Sequence, residues 1–169
     1  MKRIPLTQGK FALVDDADYE WLNQWKWYTS KGRNTFYAMR YITKPDGTRE
    51  FIYMHREILG LKFGDKRQGD HRNHNGLDNQ RINLRICNHQ QNLYNMNSNK
   101  NTRSVFKGIY WHKQNHKWCA HIKAEGKSIY LGTYDSETEA AKAYDKAAHK
   151  YFGEYANLNL PEGQQICAS

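Results

Sequence analysis

Four side chains between positions 70 and 92 are of the types needed to hydrolyse a phosphodiester bond. Asp70 and His71 are adjacent, and Asn83 and Asn92 follow within the same stretch. Such hydrolysis needs a base that takes a proton from water near neutral pH, which a neutral imidazole does. It also needs a cation near the leaving oxygen, and hard divalent cations prefer carboxylate and amide oxygens. The stretch therefore predicts a metal-dependent hydrolytic site.

Adjacent residues on an extended segment point to opposite faces. Metal binding by Asp70 and proton removal by His71 would thus be separated by several Å. The imidazole also needs an acceptor that holds its second nitrogen. The structural alternative is an Asn/Asp-rich turn region whose side chains only cap backbone groups, and this is the favoured interpretation of Asn79.

Other polar residues around this stretch have two interpretations each. Arg72, Arg81 and Arg85 are candidate phosphate clamps, although Arg81 or Arg85 could equally hold the loop onto the core. A metal pair of His71 and His74 is disfavoured, because no cysteine or histidine cluster completes a zinc set. We expect His55 to pack in the core or to contact backbone phosphate.

The segment after Phe106 alternates cations with flat rings and histidines along three short predicted strands. A sheet covered by a helix on one face leaves every second side chain for solvent or a partner. Lysines neutralise phosphates, while rings and imidazoles reach sugars or base edges. The candidate DNA-binding residues are Lys107, Tyr110, His112, Lys113, His121, Lys123 and Tyr130. For Trp118 and Tyr130, packing in the core or at an edge is the alternative.

The elements that must position the first group of residues are short. Strands are predicted over 37–42 and 49–54, with a hairpin turn at Pro45-Asp46-Gly47, and one or two helical turns over 16–22. Trp21, Trp25 and Trp27 are predicted core. A short helix is expected to end at Gly60, and 64–86 should be a loop framed by short strands. Asn88 with Gln91 forms a capping pattern that opens a helix containing Asn92.

The sequence of the second half of the chain predicts three strands, over 108–111, 118–123 and 128–131, followed by a helix. Ser136 and Glu139 form a capping box at its start, and Gly153 is placed as a C-cap. Alanines at helical spacing would let this helix approach the sheet closely. The polar segment 98–105 is the predicted linker.

Composition agrees with two small folded domains and an anionic partner. The chain has 169 residues, 26 Lys+Arg against 17 Asp+Glu, and a net charge of +9. Aromatic residues make up 14% of it, which excludes a disordered basic tail. Residues 61–105 carry eight basic and three acidic side chains, so the positive charge is concentrated in the middle. Apolar runs are too short for a membrane span or signal peptide, and we expect a cytoplasmic protein.

The first group of residues carries a family resemblance. Asp70-His71, Asn75-Gly76, the run from Asp78 to Arg85, and Gln91-Asn92 resemble the HNH motif of phage and intron-encoded homing endonucleases. The upstream stretches 12–15 and 54–57 are similar to the same phage proteins.

This resemblance covers residues 1–97 and implies a ββα-metal fold. It also implies that His71 is the general base, that Asn83 orients it, and that Asp70 and Asn92 bind one divalent metal. Many HNH proteins have histidine where this chain has Asn92, so His89, one helical turn earlier, is the alternative ligand.

The second half resembles the Apetala-two/ethylene-response-factor DNA-binding domain, which also occurs fused to phage HNH nucleases. The resemblance rests on residues 106–109, 118–123, 130–135 and 139–148, and it covers about 106–159. The plant domain contacts bases with arginines on its strands, whereas the matching positions here are mostly Lys107, Tyr110, His112 and Lys123. The resemblance therefore gives neither the target sequence nor how strongly the domain discriminates between DNA sequences.

Taken together, the sequence predicts an α+β protein with a nuclease domain at 1–97, a linker at 98–105, a DNA-binding domain at 106–160 and a tail at 161–169. We expect a magnesium-dependent endonuclease, with manganese as a substitute, that nicks double-stranded DNA as a monomer or homodimer. Its expected location is the cytoplasm of a bacterial or phage-infected cell. The alternatives are a non-catalytic transcriptional regulator and, less favoured, an RNA-directed nuclease.

Overall fold

The computed structural model of the protein describes residues 1–96 and 103–160. The chain divides into two compact units, an N-terminal unit, Met1–Asn92, and a C-terminal unit that begins at Leu93. Among the described residues, no helix combines the length and apolar character that crossing a bilayer requires.

The N-terminal unit is built from short antiparallel strands and three helices. Its elements are β1 (Lys2–Pro5), β2 (Phe11–Val14), α1 (Asp16–Asn23), β3 (Tyr28–Lys31), β4 (Phe36–Thr43), β5 (Arg49–Tyr53), α2 (Met54–Ile58), β6 (Gln68–His71), β7 (Leu84–Cys87) and α3 (His89–Tyr94). Strands pair as β1–β2, β3–β4–β5 and β6–β7. The last two strands and α3 have the ββα order that the sequence predicts.

Local side-chain chemistry explains where these elements turn and begin. In the β4–β5 hairpin, the backbone N and Oγ1 of Thr48 both donate to Oδ1 of Asp46, and Gly47 takes a φ of +81°. At α3, Asn88 Oδ1 accepts from Gln91 N, and Gln91 Oε1 accepts from Asn88 N. Both predicted signals are therefore confirmed.

The core of this unit lies between β1–β2, α1 and the β3–β4–β5 sheet. Trp27 is fully buried, and its Nε1 donates to the carbonyl of Leu22. Trp21 is half-buried and packs against this core. The prediction of a core position is wrong for Trp25, which is 45% exposed and packs its ring beneath the guanidinium of Arg40.

The C-terminal unit is a three-stranded antiparallel sheet covered by one helix. Its elements are β8 (Ile109–His112), β9 (Lys117–Ala124), β10 (Lys127–Tyr134) and α4 (Glu137–Phe152), with strand order β10–β9–β8. Ser136 Oγ accepts from Thr138 N at the start of α4. Ala140, Ala141 and Ala148 are completely buried, so the small side chains bring the helix backbone close to the sheet, as predicted.

The division between the units lies earlier than the sequence suggests. The Tyr94 ring stacks on Phe152 with 3.8 Å between centroids, which makes the end of α3 part of the C-terminal unit. Ser104 is buried there, and its Oγ accepts from Phe106 N. The predicted linker thus includes residues that pack, while its positions 98–102 lie outside the described residues.

Candidate functional site

Strand β6 carries the two side chains that the sequence places at the centre of the site. Asp70 and His71 are 7% and 5% exposed, and the ladder pairs them with Arg85 and Leu84 of β7. Because side chains alternate along a strand, Asp70 shares one face with Gln68, and His71 lies on the other. This pairing fixes the positions of a candidate ligand and a candidate base on opposite sides of one strand.

The imidazole of His71 is held by Asn79. Nε2 of His71 lies 3.3 Å from Oδ1 of Asn79, whose side chain is completely buried. A proton on Nε2, donated to that oxygen, leaves the lone pair on Nδ1. Burial lowers the pKa of His71 below its usual range, and Asn79 with the charge of Asp70 offsets this only in part. The neutral ring, which can accept a proton, is therefore the form present near pH 7.

This contact corrects the interpretation of Asn79 as a backbone cap. Its side-chain Oδ1 meets an imidazole, while its backbone N donates to the carbonyl of Leu13 on β2. The contact was missed because it depends on pairing between segments far apart in sequence. The isolated bridge between Leu13 and Asp78 belongs to the same contact.

Asn83 holds the loop that follows His71. Its Oδ1 accepts from Asn73 N at 3.0 Å, its Nδ2 donates to the carbonyl of Asp78 at 2.7 Å, and its own carbonyl accepts from Arg72 N. By fixing both ends of this loop, Asn83 restrains the backbone on which His71 sits. The prediction that Asn83 orients His71 is compatible with this restraint, which acts through the loop backbone.

Asp70 forms a buried ion pair with Arg85. The carboxylate Oδ2 accepts from Nε of Arg85 at 2.7 Å, and both side chains are about 7% exposed or less. Each charge compensates the other, which permits both to remain ionised inside the protein. Of the two interpretations of Arg85, the structure favours attachment of the loop to the core over a surface phosphate clamp.

Asn92 reaches the same face of β6 from α3. Its Nδ2 donates to Gln68 Oε1 at 2.7 Å, and Nε2 of Gln68 lies 3.4 Å from Nδ1 of His89. Gln68 and Asp70 share a face of β6, so Asn92 contacts the nearest neighbour of Asp70 on that face. Gln68 was missed in the sequence, although its position two residues before Asp70 is a usable signal.

These donors fit a hard divalent cation. A carboxylate and an amide carbonyl are oxygen ligands of the kind that magnesium and manganese take, and Asn92 keeps its Oδ1 for this purpose when Nδ2 binds Gln68. In the described part of the chain, no group of three or more His, Cys, Asp or Glu side chains could hold a metal.

Arg81 attaches the same loop to α1. Its Nε and Nη2 donate to the two carboxylate oxygens of Asp18 at 2.8 and 2.7 Å, and Asp18 is buried. Its backbone N donates to Asp15. The geometry favours the structural interpretation of Arg81, whereas Arg72 is exposed at the start of the loop.

On the C-terminal sheet, the face opposite α4 carries most of the predicted DNA-binding residues. Tyr110 Oη lies 3.1 Å from Nε2 of His121, and the Tyr130 ring packs 5.1 Å from the same imidazole. Tyr130 Oη also forms a hydrogen bond with Thr133. His112 and Lys123 lie on this face by strand register, and Lys113 is exposed in the β8–β9 turn. The structure thus brings these side chains to one surface.

Lys107, which the sequence also predicts to contact DNA, has its ammonium group bound within the C-terminal unit. Its Nζ donates to the carbonyls of Tyr94 and Met96 at 2.7 and 2.8 Å, and burial lowers its pKa to about 8. This ammonium group therefore binds backbone carbonyls within the unit. The ring of Trp118, in turn, packs against the core of the unit, which settles its two interpretations in favour of packing.

Both halves of the chain are similar to known proteins. The AP2 domain family matches residues 104–154. An uncharacterized HNH endonuclease of Acanthamoeba polyphaga mimivirus is 30% identical over 152 residues, which cover 90% of this chain and 76% of the viral protein. Dehydration-responsive element-binding protein 2D of Arabidopsis thaliana is 52% identical over 48 residues, 27% of this chain and 23% of the plant protein. The residues that match the AP2 domain family lie in the C-terminal unit.

Proposed function

Because the chain belongs to the HNH endonuclease family and carries an AP2 domain, we propose that it is a metal-dependent DNA endonuclease targeted by its C-terminal unit. The observation that carries the proposal is the buried pair on β6. Neutral His71 contacts Asn79, and Asp70 lies on the opposite face of β6 beside Gln68, the residue that Asn92 contacts. A DNA clamp without catalytic activity has no need of a carboxylate beside phosphate.

In this mechanism His71 acts as the general base. Nδ1 takes a proton from water while Nε2–H stays on Asn79 Oδ1, and that contact stabilises the imidazolium as it forms. The water oxygen bonds to phosphorus and the bond from phosphorus to the 3′ oxygen breaks. The leaving oxygen takes a proton from solvent water to become a hydroxyl group, and His71 then releases its extra proton to solvent. Asn83 keeps the loop after His71 in place throughout.

Asp70 and Asn92 would hold one magnesium ion, or manganese in its place. The bound ion would supply positive charge for the leaving oxygen and the crowded phosphate. Arg85 keeps the Asp70 carboxylate in position from the neighbouring strand. His89 remains the alternative ligand, since Gln68 contacts both it and Asn92.

The C-terminal unit would make this nuclease site-selective. Binding of its sheet face to duplex DNA raises the local concentration of the N-terminal unit at the same site. The two units adjoin in sequence at Asn92 and Leu93, so cleavage should fall near the bound sequence. A monomer contains one base and one set of metal ligands and can therefore cleave one strand. It should nick DNA, and a double-strand break would require two copies.

A plasmid assay tests this proposal. Purified protein is incubated with supercoiled plasmid in magnesium, in manganese and in EDTA. We expect conversion to the open-circular form with either metal and none in EDTA. Protein that binds duplex DNA but nicks nothing with either ion would establish the regulator instead. Displacement of DNA by a single-stranded RNA competitor would favour the RNA-directed nuclease.

A further inference from the structure

One face of the β3–β4–β5 sheet carries a row of aromatic side chains. The ladder places Tyr41 opposite Phe51, and Met39 opposite both Tyr28 and Tyr53. By strand alternation Tyr37 is on this face too, whereas Ala38 on the other face is buried in the core. We refer to Tyr28, Tyr37, Tyr41, Phe51 and Tyr53 as the aromatic face.

The aromatic face continues to the candidate base through ring contacts. Phe51 packs 5.3 Å from Tyr53, and Tyr53 stacks on His55 at 5.5 Å with 19° between the planes. His55 lies edge-on to His71 at 4.9 Å, and Tyr37 lies 5.8 Å from the same imidazole. An unbroken path of rings therefore connects the surface with His71.

The outer part of this face is open. Tyr41 and Phe51 are 52% and 53% exposed, although they are large side chains and lie opposite each other on neighbouring strands. A cavity of about 400 Å³ follows β5, and Phe51, Tyr53, Arg49 and Phe63 are among its lining residues. This volume lies in the range of small-ligand sites. The surface thus offers ring faces and a recess next to them.

The surroundings of the aromatic face are positively charged. Lys26, Lys31, Arg33 and Arg49 are exposed, and among the described residues none of the four forms an ion pair; Lys26 Nζ lies 5.6 Å above the Tyr28 ring. The two acidic residues between positions 26 and 53 are already engaged. Asp46 accepts from Thr48, and Glu50 pairs with Lys44. The uncompensated charge therefore favours phosphate.

We propose that the aromatic face binds unpaired nucleotides of single-stranded DNA next to the scissile bond. In a duplex the bases stack on one another and present no free ring face to a side chain. Exposed rings on a sheet, flanked by cations, bind bases by stacking while the cations follow the backbone. The nuclease unit would then act where DNA is locally unpaired, at a bulge, flap or fork, while the C-terminal sheet holds duplex.

Only the link to cleavage rests on the proposed nuclease function, and binding is tested without it. The full chain is titrated with fluorescein-labelled oligothymidylate in EDTA, and affinity is measured by anisotropy. Phe51→Ala and Tyr41→Ala should each weaken binding roughly 5- to 100-fold, as loss of one base–ring stack does. Phe51→Leu, which keeps the apolar volume, should be weakened similarly, because the ring is what stacks.

Phe11→Ala is the matched control, since Phe11 is 49% exposed and lies on β2 away from this face. It should bind oligothymidylate as the unaltered protein does, and the face variants should keep duplex affinity within about twofold. The proposal would be overturned if Phe11→Ala and Phe51→Ala lost equal affinity for oligothymidylate. It would also be overturned if the face variants lost equal affinity for duplex and single-stranded DNA. Tighter binding of oligouridylate of the same length would assign the face to RNA instead.

A second measurement connects the face with cleavage. With magnesium, a duplex that contains an unpaired stretch beside the target should be nicked faster than a fully paired one, and Phe51→Ala should abolish the difference. Equal rates on both substrates would contradict the link to cleavage. A protein that binds oligothymidylate through Phe51 but cuts neither substrate would refute the nuclease function and leave the binding face established.

Discussion

His71 and Asn79 form a side-chain contact, with 3.3 Å between imidazole Nε2 and amide Oδ1, although they lie eight positions apart in the sequence. Asn79 is carried to this position by β2, because its backbone N donates to Leu13 at 2.8 Å. Leu13 N in turn donates to the carbonyl of Leu77. The position of Asn79 beside the imidazole therefore depends on its backbone contact with β2.

Substitution Asn79→Ala should lower the nicking rate by roughly 10- to 100-fold, because the imidazole loses the acceptor that fixes its tautomer and orientation. Duplex affinity should be unchanged, since Asn79 is buried. Single-turnover nicking and anisotropy measure the two quantities. Asn34→Ala, in the exposed β3–β4 turn, is the control and should behave as the unaltered protein. An unchanged rate for Asn79→Ala would remove the contact from the mechanism.

Comparison of Asn92→Ala with His89→Ala tests which of these two side chains would bind the proposed metal. Loss of an oxygen ligand should raise the magnesium concentration for half-maximal nicking by roughly tenfold or more in Asn92→Ala. His89→Ala should leave this concentration nearly unchanged, because Nδ1 of the imidazole lies 3.4 Å from Nε2 of Gln68 and is engaged there. Manganese binding followed by electron paramagnetic resonance gives the same comparison without cleavage. A larger effect of His89→Ala would assign the ligand to His89.

His55 should make the N-terminal unit sensitive to acid. Burial, with a smaller effect of the neighbouring His71, lowers the pKa of His55 from 6.5 to about 3. Between these pH values the unfolded chain binds a proton that the folded chain does not. The free energy of unfolding therefore decreases as the pH falls from about 6.5 towards 3, by up to about 1.4 kcal/mol per pH unit from this group.

Urea unfolding followed by tryptophan fluorescence, above and below pH 6.5, measures this dependence. His55→Phe keeps a flat ring between Tyr53 and His71 but cannot bind a proton, so its free energy of unfolding should decrease less on acidification. The same pH dependence in both proteins would show that other groups account for the loss.

Gly108→Ala should disrupt the C-terminal unit. Gly108 has a φ of +76°, and a Cβ there would lie 2.4 Å from the carbonyl of His121 and from the Tyr144 ring. Backbone strain and steric overlap together should lower the free energy of unfolding of this unit by roughly 2–5 kcal/mol and weaken duplex binding strongly. Gly126→Ala is the control, because it shares the positive φ but has open space around it. If thermal unfolding showed an equal decrease in melting temperature for both variants, the close packing at Gly108 would be contradicted.

The features that the sequence predicted correctly depend on neighbours in the chain. Asn88 and Gln91 are three residues apart, and Ser136 caps the residue two positions later, so each signal is complete within one turn. The alternation of strands β8–β10 and the alanine spacing of α4 are equally local.

The features that were missed depend on contacts between distant segments. The ammonium of Lys107 is bound by the carbonyls of Tyr94 and Met96, and no local pattern distinguishes such a lysine from one that faces phosphate. The pairing of Arg85 with Asp70 follows from the β6–β7 register, which composition does not reveal. Polar residues at strand ends therefore need the tertiary structure before a role is assigned.

The central claim, that His71 is the base, is tested by single-turnover nicking in magnesium with His71→Ala and with His149→Ala as a matched control on the exposed side of α4. We expect His71→Ala to nick at least about 100-fold more slowly at unchanged duplex affinity and a native thermal unfolding profile. His149→Ala should match the unaltered protein. A folded His71→Ala protein that nicks at the original rate would contradict the account.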